Sequence, residues 1–240
     1  MTRFAVFADV HANLPALQGA LAEVRRLGVD GILFLGDSIA IGPHPAECLG
    51  LLLAQQDLVA VLGNHDAWLA HGLPQPRPEW MSVGEVEHQE WTHSRISNAQ
   101  WAAVKAWPFE MSLDVEGVHL YLSHYALAEG GHDWQWLGRT PTVDHFDAAY
   151  ERTVGTASVC LFGHDHMQRD TQGRARYINP GALGCNDAAR ANFGVLSCQA
   201  GAIRYEHLSV SYDDTSVLTD YERLRVPERD FLRRTFHGGR

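Results

Sequence analysis

The chain lacks any apolar stretch approaching the roughly 18 residues that a membrane-crossing helix requires. It also runs from Met1-Thr2-Arg3 into a strand-like segment without a charged and apolar leader. No membrane association is expected, and a cytoplasmic protein is. The 4 cysteines, Cys48, Cys160, Cys185 and Cys198, show no Cys-x-x-Cys spacing. This argues against a thiolate-rich metal site and for reduced, mostly buried thiols. Basic residues are in the minority, 19 Lys and Arg against 29 Asp and Glu, for a net charge of −10. Rows of Lys and Arg gain affinity for long nucleic acids by neutralising phosphates and releasing their counterions, so a polymeric nucleic-acid substrate is disfavoured. Arg223, Arg225, Arg229, Arg233, Arg234 and Arg240 make the tail locally basic, which reads as a solvated face. There is no internal repeat and no low-complexity tract.

The 240 residues, 45% of them hydrophobic, are ample for a sizeable core. Their apolar runs stop at chemically capable residues. Residues 3–8 lead into Asp9, 31–36 into Asp37, 57–62 into Gly63-Asn64-His65-Asp66, and 158–162 into Gly163-His164-Asp165-His166. A fifth run, residues 118–123, delivers His124. The runs are apolar on both sides of the pleat, as buried strands are. An α/β sheet places its site at the carboxyl ends of such strands. Leu14, Leu17, Leu21, Val24 and Leu27 recur at helical spacing between the first two runs, with Pro15 in the first turn and Gly28 near the stop. Residues 46–55 read as a second crossover helix, so residues 1–60 describe a parallel sheet with helices packed on it.

Asp9, His11 and His166 can hold one divalent ion and Asn64, His124 and His164 a second, with Asp37 bridging. Such a mixed oxygen and nitrogen set suits Mn²⁺, Fe or Zn²⁺. Two ions roughly 3.5 to 4 Å apart polarise a phosphoryl group and lower the pKa of a bridging water, making a hydroxide nucleophile. His65 is then free to protonate the leaving oxygen, with Asp66 fixing its tautomer. Asp9 or Asn64 alone could merely cap a helix. Their joint occurrence with the histidines points to a two-metal hydrolase. His44, His71, His88, His93, His119, His132, His145, His207 and His237 belong to no such block and read as surface or core residues. Of these, His44 and His132 lie on loops that could reach a substrate.

These blocks, Asp9-x-His11, Gly36-Asp37, Gly63-Asn64-His65-Asp66, His124 and Gly163-His164-Asp165-His166, resemble in type and order the signature of the calcineurin-like metallophosphoesterases. Residues 8–17, Gly42-Pro43-His44-Pro45-Ala46-Glu47-Cys48 and Asn179-Pro180-Gly181-Ala182-Leu183-Gly184 resemble the bacterial and archaeal small-phosphoesterase, phosphodiesterase-like branch of that superfamily. The resemblance spans roughly residues 1–210. It implies an α/β protein, a four-layer α/β/β/α sandwich of two mixed β-sheets flanked by helices, and the residue roles given above. It also implies two divalent ions, Mn²⁺ or Fe first, Zn²⁺ or Ni²⁺ after them. The expected activity is hydrolysis of small phosphodiesters or phosphomonoesters. The alternative is a non-catalytic interaction or regulatory module that retains the fold, as retromer-associated relatives do; the intact His65 and ligand set disfavour it.

The chain departs from the family pattern in three places. Asp165 stands where Thr or Ser usually separates the last two histidines, and is read as supporting the ligands rather than joining them. Tyr125 stands where Gly often follows the histidine, and could narrow the site. Ser38-Ile39-Ala40-Ile41-Gly42 lacks the arginine with which the protein serine/threonine phosphatase branch clamps phosphate. This argues against a protein phosphatase and leans toward diesters.

Residues 1–212 are expected to form the metallophosphoesterase domain, with a helical cap-like insertion at about 68–108, and residues 213–240 a C-terminal helical extension on its outer layer. Within the insertion, Pro-rich residues 73–78 read as a loop, and 83–94 and 98–107 as helices, Asn98 being a capping residue. Asn13 either caps the helix that follows or reaches substrate phosphate. Asn13 and Tyr125 are thus the candidate substrate-binding residues. Trp134 and Trp136 either cover a sheet edge or subunit interface, or stack on an aromatic group. Asn179-Pro180-Gly181 reads as a tight turn beside the metal loops. The expected partner is a small phosphoester, with homo-oligomerisation left open.

Overall fold

The structure, a computed structural model, describes residues 1–155 and 157–240. Along the chain come β1 (Thr2–Phe7), α1 (Leu14–Leu27), β2 (Gly31–Phe34), α2 (Pro45–Leu53) and β3 (Leu58–Ala60). Three helices follow, α3 (Asn64–His71), α4 (Val83–His93) and α5 (Asn98–Lys105), then β4 (Glu110–Val115), β5 (Val118–Ser123), α6 (Val143–Ala149) and β6 (Val159–Leu161). The chain ends with β7 (Gln168–Gln172), β8 (Arg176–Pro180), β9 (Arg190–Gln199), β10 (Ala202–Ser211), α7 (Thr215–Arg223) and α8 (Arg229–Phe236).

The strands form two five-stranded sheets, ordered β10-β9-β1-β2-β3 and β4-β5-β6-β8-β7. Pairing is parallel for β1 with β2, β2 with β3, β5 with β6 and β6 with β8, and antiparallel toward the β9–β10, β4 and β7 edges. Alternation along β1 explains the layers. Ala5 and Phe7 point to a core shared with Leu17, Leu21 and Leu52 of α1 and α2, whereas Val6 and Ala8 join Leu33, Leu120, Leu161 and Ile178 between the sheets. Tyr121, Phe146, Tyr150, Phe162 and Tyr177 fill a third core beneath α6. The result is the expected order of helix, sheet, sheet and helix, with strands apolar on both faces because both faces are covered. Among the described residues no helix is long and apolar enough to cross a membrane.

α1 shows how local sequence sets an element. The Asn13 side chain accepts from the Ala16 amide at 3.2 Å, Pro15 sits where no amide donor is needed, and Gly28 at φ 61° closes the helix in a left-handed cap. The cap of α5 differs from expectation. Ser97, not Asn98, is the capping residue: its hydroxyl accepts from the Gln100 amide while the Gln100 side chain accepts from the Ser97 amide. The C-terminal extension reaches further than the outer layer. Val217, Tyr221, Val226 and Leu232 pack on Ile41, Ala182 and Cys185, which lie in loops at the strand ends, while α7 also meets α1 of the outer helical layer. The amphipathic face of the extension found its apolar partner there.

Candidate active site

Parallel pairing points β1, β2 and β3 of one sheet and β5 and β6 of the other toward one rim, so their carboxyl ends deliver Asp9, Asp37, Asn64, His124 and His164 together. Backbone bonds lock the loops there: the Asp9 amide donates to the Gly36 carbonyl and the His11 amide to the Asp37 carbonyl, both at 3.0 Å. The sheets are tied across the rim by the His124 Nδ1–H, which donates to the Leu35 carbonyl at 2.7 Å. Gly63 makes the approach of the second and third loops feasible, since a Cβ there would collide with the Asp37 carboxylate and amide. Asp9, His11, Asp37, His164 and His166 all have positive φ, between 44° and 71°. Non-glycine residues occupy this region at a cost of order 1 to 3 kcal/mol each, and such strain gathers where surrounding structure imposes a functional geometry.

The donors fall into two groups that share Asp37. In the first, His11 Nε2 lies 3.0 Å from His166 Nε2, and Asp9 Oδ1 lies 3.7 and 3.6 Å from those nitrogens. In the second, His164 Nδ1 lies 3.1 Å from Asn64 Oδ1 and 3.2 Å from His124 Nε2. Asp37 Oδ2 stands between, 3.8 Å from His11 Nε2 and 3.3 Å from His124 Nε2. Nδ1 of His11 faces the Ile39 carbonyl and Nδ1 of His124 that of Leu35. Each therefore turns its Nδ1–H outward and its Nε2 inward, the orientation a metal ligand needs once no proton sits on that nitrogen.

The electrostatics favour a cation. Burial pushes the Asp9 carboxyl up to about 8, against the pull of His124. Burial also works to raise Asp37, but His124, His65 and His11 outweigh it and hold Asp37 well below the usual carboxylate range. Burial lowers His164 to about 3 and His166 to about 4, and drives His11 well below its ordinary value. For His124 burial works downward too, yet the Asp37 charge prevails and lifts it to about 9. Two buried carboxylates thus depend on protons for neutralisation while three imidazoles stay neutral with lone pairs available. This donor set fits divalent cations, which would replace those protons as the compensating charge.

A sequence profile of the calcineurin-like phosphoesterase superfamily domain matches residues 2–201. The chain belongs to this superfamily. An uncharacterized protein of Methanocaldococcus jannaschii, MJ0912, is similar at 25% identity over 93% of both chains. Among solved structures, a hypothetical protein of Pyrococcus horikoshii, PH1004, superposes with a TM-score of 0.78 at 19% identity over 100% of both chains. A metallophosphoesterase of Sphaerobacter thermophilus does so at 0.70 and 22% over 95% of both. The two superpositions establish the shared fold.

Not every expected site residue of this superfamily member lies where it was expected. Asp66 does not touch His65. Its buried carboxylate accepts from the Asp37 amide at 2.7 Å, the Ser38 amide at 3.1 Å, the Ser38 hydroxyl at 2.6 Å and the Gly63 amide at 3.1 Å, so it fastens two loops from below. Gln89 of α4 takes the place expected of Asp66: its amide nitrogen lies 2.8 Å from His65 Nδ1. No motif marks Gln89; only the folding of the insertion brings it there. Asn13 is buried, and its amide donates to the Gly184 carbonyl and the Tyr212 hydroxyl. Tyr125 is buried too, its ring 4.8 Å from the His164 ring. Both brace the site instead of facing substrate. Asp165 binds Arg169, the Asn179 side chain and the Met167 amide. It thereby holds the last histidine loop from outside the donor cluster.

Other residues border the site or stand apart from it. Trp134 stands edge-on to His124 at 5.8 Å, and Trp136 lies 6.4 Å from His164. Phe236 of the C-terminal extension packs 6.0 Å from His166. Cys185 is a buried free thiol, yet its sulfur lies within 4.8 Å of His11 and His166 ligand atoms. His44 pairs with Asp220 at 2.8 Å, and His132 packs on Phe109.

Proposed function

We propose that the chain is a dinuclear metal-dependent phosphoesterase acting on small phosphodiesters. The observation that carries this reading is Asp37 standing between two groups of inward-facing donors, with His65 above them within reach of His11 and Asp37. Asp9, His11 and His166 would hold one ion and Asn64, His124 and His164 the other, with Asp37 shared. Ions bound there, Mn²⁺ or Fe by the character of the ligands, would supply Lewis-acid polarisation of the phosphoryl oxygens and ease loss of a proton from the attacking water.

The chain's own residues supply the proton handling. Gln89 holds the His65 ring through Nδ1, 2.8 Å away, and so keeps Nε2 as the nitrogen free to meet the leaving oxygen. In the reaction the water oxygen bonds to phosphorus, the phosphorus bond to the leaving oxygen breaks, and that oxygen takes its bonding pair and the Nε2 proton of protonated His65, which becomes neutral imidazole. The proton lost by water is released to solvent, and His65 takes one up from solvent to regenerate the acid. Such transfer is worth roughly 10²- to 10⁴-fold. Diesters are favoured over monoesters because, among the described residues, neither cavity bordering His65 is lined by Lys or Arg that would hold a terminal dianion, whereas Glu85 borders both. Residues 68–108 and 213–240 act as the covers of this site.

The test is hydrolysis of bis-p-nitrophenyl phosphate and p-nitrophenyl phosphate after chelation and reloading with Mn²⁺. Turnover that requires metal, favours the diester and collapses in His65→Ala with metal retained is expected. A protein that holds both ions and cleaves neither compound contradicts the assignment.

A further inference from the structure

The cleft before His65 and His164 is walled by tryptophan. Trp68 and Trp80 stack on one another 6.0 Å apart with planes 30° from parallel, and Trp68 stands edge-on to His65 at 4.9 Å. Trp134 and Trp136 line the same cleft, whose volume is about 600 Å³, and its charged lining groups are Glu85 and Asp133. Trp80 and Trp136 are each 64% exposed. Large indoles left open beside a catalytic histidine gain little from the protein's own packing and offer flat apolar faces to a ligand. On the other side of His65 a second cavity of about 510 Å³ shares Trp80 and Glu85 with the first. There the C-terminal extension contributes Phe231, Leu232, Phe236 and Glu228. The phosphorus position at His65 is therefore bordered by two roomy, mainly apolar chambers with carboxylates at their edges.

Building on the phosphoesterase reading, we propose that the substrates are singly charged phosphodiesters bearing a flat aromatic group, a nucleobase or an aryl ring, seated in the tryptophan-walled cleft while the other ester group occupies the second chamber. The two chambers accommodate two substituents on one phosphorus, which a monoester does not have. The tryptophans supply stacking that any flat ring can use. Glu85, Asp133 and Glu228, unopposed by cationic lining residues, repel further phosphate groups, so nucleoside polyphosphates and long nucleic acids are rejected. Trp80 and Trp136 are thus specificity-determining residues, while the proton and ligand chemistry stays with His65 and the donors beneath it.

The experiment compares benzyl methyl phosphate with cyclohexylmethyl methyl phosphate, alkyl esters of similar leaving-group basicity whose rings differ in flatness. Thymidine 5′-methyl phosphate is a third substrate and bis-p-nitrophenyl phosphate an activity control, with turnover of the Mn²⁺-reloaded protein followed by chromatography. Wild-type kcat/KM should favour benzyl over cyclohexylmethyl by about tenfold, within the range of one stacked ring. The combined Trp80→Ala and Trp136→Ala variant should reduce that ratio to about two, through loss of the stacking. Both indoles are exposed, so the variant retains its core. Thymidine ester cleaved faster than benzyl ester identifies a nucleobase as the ring; equal rates identify a plain aryl group. Equal rates for the benzyl and cyclohexylmethyl esters, or an unchanged ratio in the variant, overturn the inference while bis-p-nitrophenyl phosphate hydrolysis persists. No cleavage of any diester removes the phosphoesterase reading and this inference with it.

Discussion

Replacing Asp66 with alanine separates two roles that the sequence alone does not distinguish. The carboxylate accepts from three backbone amides and one hydroxyl, all buried, and these belong to the loops carrying Asp37 and Asn64. Removing it strands three amide donors, each costing about 1 to 3 kcal/mol when left unpaired in the interior. Two effects reduce the sum. The carboxyl is itself pushed up by burial, with the Asp37 charge adding to the effect, so part of its binding energy already offsets desolvation, and the loops can relax toward solvent. A net loss of about 3 to 5 kcal/mol remains, near the upper end for a single substitution. At roughly 2 to 4 °C per kcal/mol for a chain of this size, the melting temperature should drop by about 6 to 20 °C. Metal content should fall with it, because the backbone carrying Asp37 loses its anchor. Thermal denaturation and metal analysis on one sample check both outcomes. A variant that melts within about 2 °C of wild type, keeps its metal and loses only kcat would refute this account and restore Asp66 as a direct partner of His65.

Gln89→Leu should lower kcat roughly 10- to 100-fold with metal content unchanged, the usual range for losing a group that orients a reactive imidazole. Gln89→Glu should restore turnover and move its pH profile upward by stabilising the imidazolium; an unmoved profile would show that Gln89 does not act through His65. Asp37→Asn should empty both ion positions on dialysis, and a full complement of metal would remove the shared-ligand assignment. Burial, with the Arg240 charge adding to it, lowers His237 to about 4, and its Nε2 accepts from the Tyr221 hydroxyl at 2.9 Å. Because the folded value is depressed, this contribution is complete above the unfolded value near 6.5 and is lost as pH falls toward 4. The melting temperature should therefore decline more steeply from pH 6.5 to 4 in wild type than in His237→Gln, which keeps an acceptor without the titration. Parallel declines would refute this.

Much of the architecture was legible because strand periodicity and chemistry coincide along the chain. Apolar runs ending in Asp9, Asp37, Asn64, His124 and His164 identified both the buried strands and the rim at which they converge. What escaped notice has no linear signature. Gln89 is an ordinary polar residue on a helix face, significant only because the insertion folds back over His65. Asp66 follows His65 in sequence and so suggested a partner for it, but in α3 successive side chains point about 100° apart, which turns its carboxylate under the loops. Asn13 and Tyr125 carry groups able to bind phosphate, yet both lie inside the packing, a property that one-dimensional pattern does not report.

By itself the sequence determined the fold class, the donor types and their distribution over strand ends, since hydrophobic period and residue chemistry are local properties. Only the tertiary structure decided which groups face the donors, which support them and what surrounds the place for substrate. Gln89 on His65, the four tryptophans of the cleft and the C-terminal Phe236 against His166 are contacts between segments far apart in the chain. Such contacts depend on how amphipathic faces find partners in three dimensions, and no spacing along the chain encodes that choice.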